Sequence, residues 1–148
     1  MKSRRRRIKT SNPPNLYQFP YVKFHGKFYP LIPLTISREG NTVNTFALID
    51  SGASMSVFRP EIAEALKIPK KRKFGVRLGT ASGGVDIAVS KVRLSVGKTM
   101  FDTKIGFSRE YAASFNIIGR EGFFHRFSIC FNEISKTVLM VPLEDLPR

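Results

Sequence analysis

Of the acids in this 148-residue chain, Asp50 has the setting of a reactive group. The apolar, strand-like run Phe46-Ala47-Leu48-Ile49 delivers it into the turn Ser51-Gly52-Ala53. A carboxylate leaving a hydrophobic strand is desolvated unless water or a partner compensates it, which makes Asp50 a candidate catalytic acid. Asp-Ser-Gly is also ordinary turn chemistry, so the context carries the inference: the apolar strand before it and Ala53-Ser54-Met55-Ser56-Val57 after it. Asp86 and Asp102 fall in alternating, charged stretches and Asp145 in an expected tail. None is followed by Ser-Gly or Thr-Gly. With no second copy of the arrangement, a paired carboxylate has to come from another molecule.

Other chemistries find less support. His25, His125 and Cys130 are the only imidazoles and thiol, and they lack the recurring ligand spacing of a zinc site, so no metal or cofactor is expected. Cys130, within Ser128-Ile129-Cys130-Phe131, reads as a small core residue, and His125 as solvent-facing. A lone cysteine fits a reducing, cytoplasmic setting. The glycine-rich Gly79-Thr80-Ala81-Ser82-Gly83-Gly84 lacks the lysine of a phosphate-binding loop. No apolar run approaches the roughly 20 residues that cross a bilayer, and the basic start has no apolar stretch behind it to make a secretory signal.

The elements that must hold Asp50 are mostly strands. Thirteen phenylalanines suit pleated, half-buried surfaces. Leu31 to Ser37 alternates around Pro33 and reads as an edge strand, Arg38 to Asn41 as a turn, and Asn44 to Ile49 as the strand bearing Asp50. Pro60 to Leu66 has a proline and an acid where a helix begins. A long hairpin follows, with Gly79 to Gly84 at its tip. Val85, Ile87 and Val89 share one parity and Val92, Leu94 and Val96 the other, which predicts a bulge near Ser90-Lys91. Further strands are expected at 99–107, 127–132 and 136–141, and a short helix at 121–126. The fold class is therefore all-β, a small closed or partly closed barrel with one or two short helices. Residues 1–20 read as a basic, proline-containing flexible arm, 21–142 as the single domain, and 143–148 as a tail.

Three markers in order, Asp50-Ser51-Gly52-Ala53, Gly79 to Gly84, and Ile117-Ile118-Gly119-Arg120, give the chain its family likeness. Over roughly residues 25 to 142 it resembles the retropepsin-like aspartic proteases, single-domain relatives of pepsin that include the retroviral enzymes. The resemblance implies a homodimer that hydrolyses peptide bonds in a polypeptide substrate, with one Asp50 from each subunit. It implies that Ser51 locks the active-site loops together and that Gly52 offers its carbonyl to the substrate backbone. Ala81, Ser82, Gly83 and Gly84 would form a flap over the bound peptide, with Ser54 also at the substrate. Ala53, Ile117, Ile118 and Gly119 would support the catalytic loop, and Arg120 would open a short helix. Ser54 stands where retroviral enzymes usually carry an acid, which leaves Arg120 without its customary partner.

The net charge of +14 is uneven: Lys2, Arg4, Arg5, Arg6, Arg7 and Lys9 contribute +6 with no acid among them. Such a run attracts polyanions, so weak polyanion binding through Arg4 to Arg7 is expected. Two other readings remain open: a catalytically silent binding or scaffold module of the same fold, and a nucleic-acid-associated protein using the arm.

Overall fold

The computed structural model describes residues 15–69, the backbone of 75–80, and 83–145. Alternation sets the main sheet. Strand β4 (Leu31–Arg38) runs antiparallel to β5 (Asn41–Ile49) in unbroken register from Leu31↔Leu48 to Arg38↔Asn41. The turn between them has Glu39 and Gly40 at positive φ (47° and 80°), a conformation glycine adopts without strain. Strand β6 (Val57–Phe58) leads into helix α1 (Pro60–Ala65), which starts with proline and places Glu61 in its first turn.

Strand β7 (Gly75–Thr80) pairs with β8 (Gly83–Val96), and β8 pairs in turn with β9 (Thr99–Phe107). With β10 (Asn116–Ile118) the sheet order is β4-β5-β10-β6-β9-β8-β7. Pairing of β4 with β8 at Thr35 to Ser37 closes β4, β5, β10, β6, β9 and β8 into a barrel. The β8 ladder meets β4 only beyond Pro33, so the proline sits where one side of its strand is free of a ladder, much as an edge position requires.

Inside lie Ile32, Ile36, Phe58, Leu94 and Ile105, all fully buried. A second sheet, β1 (Tyr17–Pro20), β12 (Thr137–Pro142) and β11 (Phe127–Asn132), has β12 in the middle and adds Phe127, Val138 and Met140 to the same core. A small hairpin, β2 (Val22–Phe24) with β3 (Lys27–Tyr29), precedes the barrel.

Several expectations need correcting. Residues 17–20, placed in the arm, are a strand, because β12 offers them a ladder from Tyr17↔Met140 to Pro20↔Thr137. The expected bulge is absent: β8 keeps one register with β9 from Ala88↔Phe107 to Val96↔Thr99. The parity change instead marks which face is covered. Val92, Leu94 and Val96 point into the barrel, whereas Ile87 packs on the other face over Gly106, beside Met55. The segment 121–126 forms turns followed by a 3-10 helix at Phe124–Arg126 rather than an α-helix. Cys130 is exposed, since Phe127 and Ile129 take the inward positions of β11. The ladder of β7 and β8 extends to Thr80↔Gly83, so four residues expected in the hairpin tip are strand. Ala81 and Ser82 lie outside the described residues, as do Arg4 to Arg7.

Candidate active site

Asp50 leaves the end of β5 where β10 runs parallel beside it, Ile118 opposite Ile49. Its backbone N–H donates to the Ile118 carbonyl at 3.0 Å, and its own carbonyl accepts from Ala53 N–H at 3.2 Å. The Gly52 N–H donates to Asp50 Oδ1 at 2.8 Å, which fixes the carboxylate within its own turn. A Cβ on Gly52 would stand 3.1 Å from that same oxygen.

The loop is braced from behind by residues 118–121. Arg120 N–H donates to the Ala53 carbonyl at 2.9 Å, and Glu121 N–H to the Ser54 carbonyl at 2.8 Å. Gly119 N–H donates at 3.0 Å to the buried hydroxyl of Ser56, whose carbonyl accepts from Gly106 N–H at 2.9 Å. Backbones meet so closely here that a Cβ on Gly119 would lie 2.5 Å from the carbonyl carbon and oxygen of Met55. The structure thus brings together Asp50, Gly52, Ala53, Ser54, Ile118, Gly119 and Arg120. Ile117 sits on β10 opposite Leu48 and Val57.

Ser51 and Ser54 are exposed, and the Ser51 hydroxyl bonds to none of the described residues. The guanidinium of Arg120 is also exposed, with no ion pair among the described residues. Gly83 and Gly84 lie on β8, opposite Thr80 and Gly79. Among the described residues no group of three His, Cys, Asp or Glu side chains could hold a metal, and no helix is long and apolar enough to cross a membrane.

Sequence reasoning missed three contributors. Ser56 figured only in the run that follows the Asp50 turn; a serine between Met55 and Val57 was the available signal. Asn116 is buried and joins three segments, donating to the Phe46 carbonyl (2.9 Å) and Thr45 Oγ1 (3.1 Å) and accepting from Arg59 N–H (2.9 Å). Tyr111, in the loop between β9 and β10, donates its hydroxyl to the Phe115 carbonyl at 2.9 Å. Burial pushes the Tyr111 phenol above its ordinary value; Arg59 opposes this, and the charge of Asp50 adds to it.

Asp50 lines neither of two cavities found among the described residues. The larger, about 680 Å³, lies between α1 and the ends of β8 and β9. The smaller, about 460 Å³, is walled by Leu31, Phe46, Ile62 and Phe115 among others.

A closed β-barrel with one Asp-Ser-Gly loop, backed by an Ile-Ile-Gly strand and accompanied by a β7–β8 hairpin, defines the retropepsin-like class. The family model described as aspartyl protease matches residues 32–121, so the chain belongs to the aspartyl protease family. The fold is similar to that of EIAV protease, solved in complex with the inhibitor HBY-793, with a TM-score of 0.52 and 21% identity over 68% of this chain and 89% of that one. No curated protein sequence matches this chain.

Proposed function

We propose that the chain is one subunit of a homodimeric aspartic endopeptidase, with Asp50 of each copy meeting on the two-fold axis. The observation that carries this reading is a complete catalytic loop present once: Asp50 is held by Gly52, Ile118 and Ala53, yet no second Asp-Ser-Gly loop exists in the chain. A two-fold assembly supplies the missing half with the same surface.

Two carboxylates in contact cannot both ionise, so the dyad shares one proton over a wide pH range. The ionised member takes a proton from a water held between them while the protonated member polarises the scissile carbonyl. The tetrahedral intermediate collapses as a proton passes to the leaving amine. The hydrogen bond from Gly52 N–H keeps the Asp50 carboxylate oriented for this exchange. The substrate is an extended polypeptide, bound by main-chain hydrogen bonds to the Gly52 carbonyl and the tip of the β7–β8 hairpin. Apolar side chains fill pockets beside the scissile bond. Ser51 links the two catalytic loops across the dimer axis.

Asp50→Asn tests the reading. Purified wild-type protein is expected to cleave members of a diverse peptide library with a bell-shaped pH profile, and the variant none, while both sediment as dimers. An active wild-type protein that stays monomeric at assay concentration would overturn it, as would undiminished cleavage by the variant.

A further inference from the structure

We propose that the cavity of about 460 Å³ beside the β2–β3 hairpin docks an aromatic side chain carried by an acidic stretch of polypeptide. On the endopeptidase reading above, that stretch belongs to the substrate. Apolar groups stand open around this cavity: Phe46 is 51% exposed, and Val22, Ile62 and Phe115 are only half-buried. Phe24, 37% exposed, extends the patch through its contact with the Phe115 ring. Apolar surface gathered around a concavity, unlike single scattered residues, marks a binding site.

The walls are fixed before a ligand arrives. The Asn116 side chain ties the Phe46 carbonyl to the Arg59 N–H, and Arg59 Nη1 donates to the Ser114 carbonyl at 3.0 Å. The Phe115 ring meets both Phe24 and Tyr29 at 5.0 Å between centroids. Register puts those two residues and Val22 on one face of the hairpin. A preformed pocket lowers the ordering cost of binding.

Charge selects the occupant. From Leu16 to Arg38 the chain carries no acid. Lys27 stands opposite Phe24 across the hairpin, and Lys23 Nζ lies 5.8 Å from the centre of the Phe28 ring. Neither lysine has an ion pair among the described residues. The cation lining the pocket itself, Arg59, is taken by Glu61 through Nη2 at 2.8 Å and Nε at 3.3 Å. An anionic partner is drawn to the hairpin while the pocket accepts an uncharged group. A nucleic acid, charged at every phosphate, would be repelled by Glu61; a polypeptide can set its acids against the lysines and a ring in the pocket.

The pocket adjoins the strand that carries the carboxylate. Phe46 and Leu48 share the outward face of β5, since Ala47 and Ile49 are buried, and Asp50 is the next residue of that parity. Four residues separate Phe46 from Asp50, about 13 Å at the usual strand rise, which an extended peptide of about four residues spans. The β2–β3 hairpin precedes residues 32–121, so the Val22 wall and both lysines lie outside the stretch that matches the family.

The test uses the full chain with Asp50→Asn, so that binding is read without cleavage, and anisotropy of a labelled peptide with one phenylalanine among glutamates. Phe46→Ser is expected to weaken binding about tenfold, as is serine in place of the peptide's phenylalanine. Lys23→Gln/Lys27→Gln should weaken it about threefold at low salt and flatten its salt dependence. Ile134→Ser, which trims an exposed apolar side chain in the β11–β12 turn, should bind as the parent does. Unchanged binding in Phe46→Ser, or an equal loss in Ile134→Ser, would overturn the proposal. So would tighter binding of an oligonucleotide or of anionic lipid vesicles that the peptide fails to displace. With Asp50 intact, Phe46→Ser should raise KM only for peptides that carry the acidic, aromatic stretch. A chain that cuts no peptide sinks the endopeptidase reading, whereas loss of the Phe46 dependence sinks this one.

Discussion

Gly119→Ala puts the bracing of the catalytic loop to a direct test. The φ of Gly119 is not in the left-handed region, so alanine brings no backbone strain, and the effect is contact alone. Its methyl would sit 2.5 Å from both C and O of Met55 and 2.9 Å from N, all backbone atoms that cannot rotate away. Relieving the overlap means separating residues 53–56 from 119–121. That weakens three hydrogen bonds, Gly119 N–H to Ser56 Oγ, Arg120 N–H to Ala53 O, and Glu121 N–H to Ser54 O.

Overpacking costs about 1–3 kcal/mol, and partial loss of three bonds worth about 1 kcal/mol each adds to it. A destabilisation of about 3–4 kcal/mol follows, or a fall in Tm of about 10 °C for a chain of this size. Gly106→Ala is the control. There the methyl meets the side-chain atom Ile87 Cγ2 at 2.5 Å, on a buried β-branched residue that must shift its χ1, so overpacking of about 1–2 kcal/mol is expected without loss of the three bracing bonds. Urea and thermal melts of both variants measure the difference. A Gly119→Ala protein melting within about 2 °C of wild type, or no worse than Gly106→Ala, would refute the argument.

Three further outcomes can be checked alongside. Ser56→Ala leaves the Gly119 N–H without its acceptor in a buried place, and urea melts should show a loss of about 1–3 kcal/mol. Ser90→Ala should raise stability by about 1 kcal/mol, because the Ser90 hydroxyl is buried on β8 with no partner among the described residues. Burial, aided by the hydrogen bond to Glu133, pushes the Tyr21 phenol up to about 12. Between pH 10 and 12 the unfolded chain would lose that proton and the folded one keep it, so the stability it contributes is complete below pH 10 and drains away as pH rises toward 12. Tyr21→Phe should remove that segment of the stability-pH curve; an unaltered slope would contradict the assignment.

What the sequence disclosed was chiefly local. Asp50 at the end of an apolar run, Pro60 opening a helix, and strands at 99–107 and 127–132 follow from neighbours within a few residues. Long-range effects were hidden. Tyr17 to Pro20 is a strand only because β12 lies alongside, far off in sequence. The parity change in β8 was visible, but a bulge and a change of covered face leave the same pattern. Only the packing of Ile87 over Gly106 and Met55 separates them. Ser56 and Asn116 escaped notice because a buried polar residue declares itself through its partners, Gly119 N–H in one case and Phe46 O and Arg59 N–H in the other.

The sheet β1-β12-β11 has a practical corollary. Tyr17 and Met140 are cross-strand neighbours, so the start of β1 lies beside the end of β12, which runs on into a 3-10 helix at Leu143–Asp145. Tethering the chain ahead of β1 to the chain behind that helix with a short linker and cutting the polypeptide at the exposed Glu39-Gly40 turn should give a circularly permuted protein with the same ladders. By the same geometry, cargo fused ahead of β1 and cargo fused behind β12 would be displayed together.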